Sequence, residues 1–210
     1  MPYPYSVKET LADASVHALG LVGAIAAGTL LIFYVAHTQD GTQIAATSVY
    51  TGLLIFALLA SAAYHMLPWD SWRPMFHRIE HAAIYLKIAG TYTPLVVLIG
   101  SAFAYGVLAV IWTVAVLGAV AKLSFWATDS RGSLPLYLVL GWASVLLIWP
   151  MWQTLPGAAV ALIATGGLLY TVGTVFFAMM ALRVQIAIWL SFVLAASTCF
   201  FCAVSVGVSA

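Results

Sequence analysis

Charge is what this chain of 210 residues lacks. Only 6% of its residues are Asp, Glu, Lys or Arg, against roughly 25% in a soluble domain. So few charges cannot cover a water-facing surface, and a 64% hydrophobic composition with mean hydropathy +1.08 makes lipid the expected solvent. The net charge of +1 supplies no basic patch. That argues against a nucleic-acid partner and leaves membrane lipids as the expected ones. Cysteine is almost missing. Cys199 and Cys202 lie inside an apolar run, which excludes a disulfide scaffold and reads as small buried apolar residues. Histidine occurs five times and never after His81. The N-terminus also lacks the basic start and short apolar core of a cleavable signal. Met1 to Thr10 holds two prolines, one lysine and one glutamate, and the apolar stretch that follows is long enough to span.

What the chain does have is long apolar runs. A bilayer core needs about 20 apolar residues as helix, and seven stretches qualify, near 14–36, 43–66, 80–99, 102–125, 134–151, 156–180 and 184–208. Turn formers separate them: Thr38-Gln39-Asp40-Gly41, Pro68-Trp69-Asp70 through Pro74, Gly100-Ser101, Asp129-Ser130-Arg131-Gly132 and Pro156-Gly157. The short connector 152–157 leaves a six-helix count as the alternative. Backbone groups in hydrocarbon must be satisfied within the segment, so the expected fold is an all-α bundle of seven transmembrane helices. Residues 1–13 then form a short N-terminal segment ahead of a transmembrane domain over 14–210.

Lysine and arginine orient the bundle. Lys8, Arg73, Arg78, Lys122, Arg131 and Arg183 all fall on one side of a seven-span topology, and the opposite connectors carry none. The positive-inside rule predicts a cytoplasmic N-terminus, an outside C-terminus and residence in the plasma (inner) membrane. Trp69, Trp72, Trp126, Trp149 and Trp152 sit near predicted helix ends, as an interfacial belt would.

The ionisable residues gather at that same basic face. Glu9, Asp13 and His17 recur every four residues and form one stripe at the start of the first helix. Ser61 and His65, also four apart, close the second, and His77, Glu80 and His81 open the third. Carboxylates and imidazoles at membrane depth are expensive and face the bundle interior or a wet cavity. The set therefore marks a candidate site. Helix-end placement offers a plainer account, in which Glu9 and Asp13 complement the helix dipole and His17 and Ser61 bond between helices.

Two motifs sharpen the site. His77-Arg78-Ile79-Glu80-His81 reads H-x-x-E-H, the spacing with which inverzincin proteases hold zinc on two histidines beside a glutamate base. His77 and His81, one turn apart, could join His65 around a metal, or could be two interfacial histidines. Lys87 lies seven residues after Glu80, on the same face and about 10 Å deeper. A lone ammonium there needs a carboxylate, carbonyl or water, with Glu80 or Asp13 as expected partners, unless it bends toward the headgroups.

Arg78-Ile79-Glu80-His81-Ala82-Ala83-Ile84-Tyr85 through Ile88-Ala89-Gly90-Thr91-Tyr92-Thr93-Pro94 resembles the third-helix signature of the hemolysin III family. That family is the bacterial branch of the progestin and adipoQ receptor superfamily. An aspartate usually stands there at Glu80 and an apolar residue at Lys87. Ser61-Ala62-Ala63-Tyr64-His65 is similar to the second-helix serine–histidine motif, and Glu9, Asp13 and His17 to the first-helix one, with Asp13 in place of asparagine. Gly141-Trp142 and Ile188-Trp189 through Ala195 fit helices five and seven. The resemblance covers essentially the whole chain. It implies a zinc ion near the cytoplasmic side, held by the second-helix histidine and two seventh-helix histidines. A carboxylate reaches the metal through water, and the implied chemistry is hydrolysis of a lipid amide. A zinc-bound water with a pKa near 7 suits that reaction.

In this chain the two seventh-helix ligand positions fall on Ile186 and Leu190, which cannot donate to zinc. A further family histidine falls on Phe200. Cys199 stands about 13 Å of helix beyond Leu190. Zinc is thus possible, but only His65 of the implied histidine ligands remains, with Glu80 at the acid position. Three functions stay open. One is a diverged relative of metal-dependent lipid amide hydrolases, with Glu80 handling water and Ser61 positioning substrate. The second is a non-catalytic protein of lipid sensing or membrane homeostasis. The third is a cytolytic pore, which fits least because most spans are apolar all round. Gly20, Gly23, Gly166, Gly167 and Gly173 permit close helix contacts without saying whether these lie within or between chains, so the oligomeric state stays open.

Overall fold

A computed structural model describes residues 7–124, 130–178 and 185–210, with side chains for 10–124, 134–177 and 187–210. Apolar composition sustained over long runs gives α1 (Val7–Thr38), α2 (Gly41–Met66), α3 (Arg73–Ile99), α4 (Ala102–Ser124), α5 (Ser130–Trp142), α6 (Ile148–Thr154), α7 (Gly157–Ala178) and α8 (Gln185–Ser209). A 3-10 turn, Ala143–Leu147, joins α5 to α6, and the two helices together make one crossing. Seven segments are long and apolar enough to span a bilayer, and no strand occurs among the described residues. The expected seven-helix bundle is what the chain forms; the six-helix alternative falls because Pro156 and Gly157 end α6 and start α7.

The stops and starts follow local chemistry. Asp40 caps α2 by accepting from Gln43 N at 2.8 Å. Pro74 sits in the first turn of α3, where a missing N–H costs nothing. Gly100, at φ 66°, ends α3 in the left-handed conformation a side chain would resist, and Ser101 then accepts from Ala104 N to start α4.

Three boundaries differ from the sequence reading, the first being that of helix α1, which begins at Val7, seven residues before 14 and inside the expected N-terminal segment 1–13. Helix α3 begins at Arg73, seven residues before 80, so His77, Glu80 and His81 stand one to two turns inside it. The fifth span is not one continuous helix over 134–151. Pro150 has no N–H and its ring crowds the carbonyl of Leu146, so the backbone tightens to 3-10 just before it. The carbonyls in the last turn of α5 face Tyr92 of α3, whose one hydroxyl proton is shared between Gly141 O (2.5 Å) and Leu140 O (3.1 Å).

Helix α3 is the axis of the bundle. It packs against α2, α4, α5, α6 and α8, and 61% of its most apolar stretch is buried, against 17–33% for the other spans. Large apolar residues point outward from the surrounding helices, among them Leu19, Leu30, Phe103, Val110 and Leu117. A chain whose solvent is lipid has no reason to hide them. Trp69, Trp72, Trp149 and Trp152 are exposed near helix ends, as an interfacial belt requires. Small residues close contacts within the chain: a Cβ at Gly173 would lie 2.7 Å from Phe192 Cβ across the α7–α8 seam. Cys199 is half-buried and Cys202 exposed, both free, so Cys202 is not the buried apolar residue expected.

Candidate functional site

The first turns of α3 meet the ends of α1 and α2, and the polar residues there join into a chain of hydrogen bonds. Ser61 donates to Glu80 Oε1 at 2.7 Å. His17 Nε2 lies 3.1 Å from Ser61 Oγ, and His17 Nδ1 lies 2.8 Å from Asp13 O. His65 Nε2 is 3.5 Å from the same Glu80 oxygen, and its ring packs 5.5 Å from that of His17. Asp13 and His17 are buried; Glu80 and His65 are mostly so. This satisfies the condition that hydrocarbon imposes on such groups.

The protons in this chain can be counted. Ser61 has one hydrogen. When it goes to Glu80, Ser61 offers His17 only lone pairs, so a His17–Ser61 bond then exists only if Nε2 carries a proton. Nδ1 must carry one too, because Asp13 O only accepts. When Glu80 holds a proton instead, Ser61 accepts from it and donates to Nε2, and Nδ1 alone is protonated. Both arrangements contain the same number of protons. They differ by a shift of protons along Ser61, whose hydroxyl lies between the carboxylate and the imidazole.

A second group lies beside the first. His77 and His81 bring their Nε2 atoms to 2.9 Å, His81 Nδ1 lies 3.1 Å from Tyr137 Oη, and Tyr64 stacks on His77 at 4.6 Å. Arg78, between them in sequence, donates to Lys122 O and Leu123 O and so satisfies the last carbonyls of α4. The three histidines of the rebuilt metal site thus divide: His65 faces Glu80, while His77 and His81 face each other. Among the described residues no three His, Cys, Asp or Glu side chains converge as a metal-binding group. Leu190, at an implied ligand position, lines the nearby cavity as an apolar wall. The donor set does not fit the zinc that the resemblance implies, since a catalytic zinc takes three protein ligands. The side chains of Glu9 and Ile186 lie outside the described residues.

Both groups open into a cavity of about 830 Å³ that runs along α3 between α2, α5, α7 and α8. Its outer end carries His17, Ser61, His65, His77, Glu80 and His81; its inner walls include Leu95, Met151, Ile163 and Leu194. Lys87 also lines it, but not as expected. Its ammonium donates to Tyr170 Oη (2.5 Å) on α7 and Ser197 Oγ (2.8 Å) on α8 rather than to Glu80 or Asp13. The helix turn that puts Lys87 over Glu80 in projection also aims it at the α7–α8 pair, which was invisible before the helices were packed. Tyr137, Tyr170 and Ser197 were missed for that reason; nothing in spacing along one apolar helix separates a site hydroxyl from a hydroxyl bonded to its own backbone.

The profile of the family described as Haemolysin-III related matches residues 5–201. The chain belongs to that family. It is 34% identical over 198 residues to "Hemolysin-3" of Bacillus cereus, covering 93% of this chain and 90% of that one. It is 33% identical over 202 residues to "Hemolysin-3 homolog" of Bacillus subtilis (strain 168), covering 94% of each. No solved structure gives a significant match. This haemolysin-III related protein is therefore a multi-pass membrane protein, as its seven apolar helices require.

Proposed function

We propose that the protein binds a membrane amphiphile in its intramembrane cavity, as a diverged, metal-free relative of lipid amide hydrolases that senses or maintains lipid state. The observation that carries the reading is the cavity itself. Its volume falls in the range of about 300–1,000 Å³ usual for small-ligand sites. Its walls are mainly apolar, and its ionisable groups concentrate at one end. An acyl chain suits the walls and a polar group suits the end. A cytolytic pore, which the name of the Bacillus cereus relative would suggest, gains no such support, because a conducting path needs polar lining along its length. The basic residues Arg73 and Arg78 share the polar end, which supports a cytoplasmic opening and N-terminus in the plasma (inner) membrane.

A second reading, hydrolysis of the bound lipid, is favoured by the 2.7 Å Ser61–Glu80 bond, a hydroxyl held against a potential base. In that case Glu80 takes a proton from water, the water oxygen bonds to the amide carbon, and Glu80 returns the proton to the amine as the C–N bond breaks, with the Ser61 hydroxyl turned from Glu80 to the lipid carbonyl oxygen.

The test is native mass spectrometry of protein extracted in mild detergent. Wild type is expected to retain one lipid per chain. Ala164→Phe, which fills the cavity from α7, is expected to lose it while keeping its fold. Zinc is expected to be far below one ion per chain. An empty wild type, or equal retention by the variant, defeats lipid binding. Stoichiometric zinc with chelator-sensitive release of fatty acid from amide-linked lipids defeats the metal-free reading.

A further inference from the structure

Lys87 is the anomaly inside the cavity. It is 9% exposed, about two turns deeper on α3 than Glu80, and its two recorded partners are neutral oxygens. Ser197 is already committed, since its hydroxyl donates to Val193 O at 2.6 Å, and it lies 3.4 Å from Tyr170 Oη. Neither the His65–Glu80 nor the Arg73–Asp70 ion pair includes Lys87. An ammonium has three N–H groups; two are placed, and Lys87 and Tyr170 both line the cavity. Two hydroxyl dipoles orient a charge at this depth but do not neutralise it.

We propose that Lys87, Tyr170 and Ser197 form a binding site for the carboxylate of a single-chain lipid, a fatty acid, whose chain lies along the apolar cavity walls. The site rests on the lipid-binding reading above and names the ligand class for it. One carboxylate oxygen accepts the third N–H of Lys87. The other accepts the Tyr170 hydroxyl proton, which turns to it from the long 3.4 Å contact with Ser197 Oγ, while the Lys87–Tyr170 bond uses only a Tyr170 lone pair. Ser197 holds the ammonium from behind. The cavity walls include Ile84 and Ile88, which flank Lys87 on α3, and Leu190, Val193 and Leu194 of α8. They offer no replacement for the hydration shell of a small inorganic anion, whereas an acyl chain gains contacts along them. Glu80 at the outer end repels a carboxylate, which favours the inner station over the outer one.

The experiment compares palmitate with hexadecanol, its uncharged counterpart of equal chain length, as competitors for radiolabelled palmitate on full-length protein in uncharged detergent micelles. Wild type is expected to prefer the acid at least tenfold. Lys87→Met is expected to abolish that preference while binding the alcohol within about twofold of wild type, which also shows that the variant is folded. Tyr170→Phe is expected to lower the preference severalfold, and Lys87→Arg to retain most of it. An acid-to-alcohol ratio that is the same in wild type and Lys87→Met overturns the Lys87 site and leaves the lipid-binding reading standing. Failure of wild type to bind either amphiphile overturns both.

Discussion

Glu80→Ala is expected to lower stability by about 3 kcal/mol, while Glu80→Gln costs about 1 kcal/mol. The carboxylate is the acceptor on which the His17–Ser61 chain and His65 converge. Alanine removes the oxygen that Ser61 and His65 both face and leaves Ser61 only His17 Nε2 from that chain. Glutamine keeps an oxygen at nearly the same position and loses only the charge. The measurement is reversible unfolding in mixed micelles, followed by tryptophan fluorescence. A cycle with Ser61→Ala isolates the bond: the double variant should lose about 1 kcal/mol less than the two single losses combined, because residues in one hydrogen-bonded network are not additive. Strict additivity would mean that Ser61 and Glu80 do not interact. The same cycle with His17→Ala should also be non-additive, since in the proton count above neither of its partners can be relaxed alone.

Tyr50→Ala is expected to cost about 3 kcal/mol, and Tyr50→Phe nothing or a slight gain of up to about 1 kcal/mol. Tyr50 of α2 is 1% exposed and packs 6.4 Å from the ring of Phe201 on α8, so the ring helps fill the seam between these helices. In a membrane the unfolded reference is itself apolar, so the loss on truncation comes from packing contacts and the void left behind rather than from transfer out of water. The hydroxyl behaves differently. Among the described residues Tyr50 Oη has no hydrogen-bond partner, and a buried polar group without one is a liability. Thermal unfolding of both variants in one detergent decides the matter. A Tyr50→Phe loss as large as that of Tyr50→Ala would show that the hydroxyl, not the ring, holds the seam.

The site was half legible. The period of four in Glu9, Asp13 and His17, and again in Ser61 and His65, put donors on facing stripes, and that is where His17, Ser61, Glu80 and His65 meet. Local spacing was enough because α1, α2 and α3 are joined by short turns and enter the bundle as neighbours. Where partners came from distant parts of the chain, spacing was silent. Lys87 meets residues 83 and 110 positions away, and His81 meets Tyr137. The H-x-x-E-H pattern carried a metal hypothesis whose three histidines the packing separates into two groups. The fifth span read as one helix because composition does not register that Pro150 opens the backbone and that Tyr92 faces the last carbonyls of α5.

The sequence by itself determined that this is a seven-helix membrane protein, since so few charges over such long apolar runs leave hydrocarbon as the only tolerable solvent and helix as the only backbone that survives there. It also determined which face of the bundle carries the ionisable groups. Only the tertiary structure decided how those groups are shared out: Glu80 to Ser61 and His65, His81 to His77 and Tyr137, and Lys87 to Tyr170 and Ser197. The reason is that a buried polar group accepts any partner within about 3 Å. Which partner stands there depends on how α3 is rotated against its neighbours, and that rotation is fixed by the packing of apolar surfaces all round the bundle.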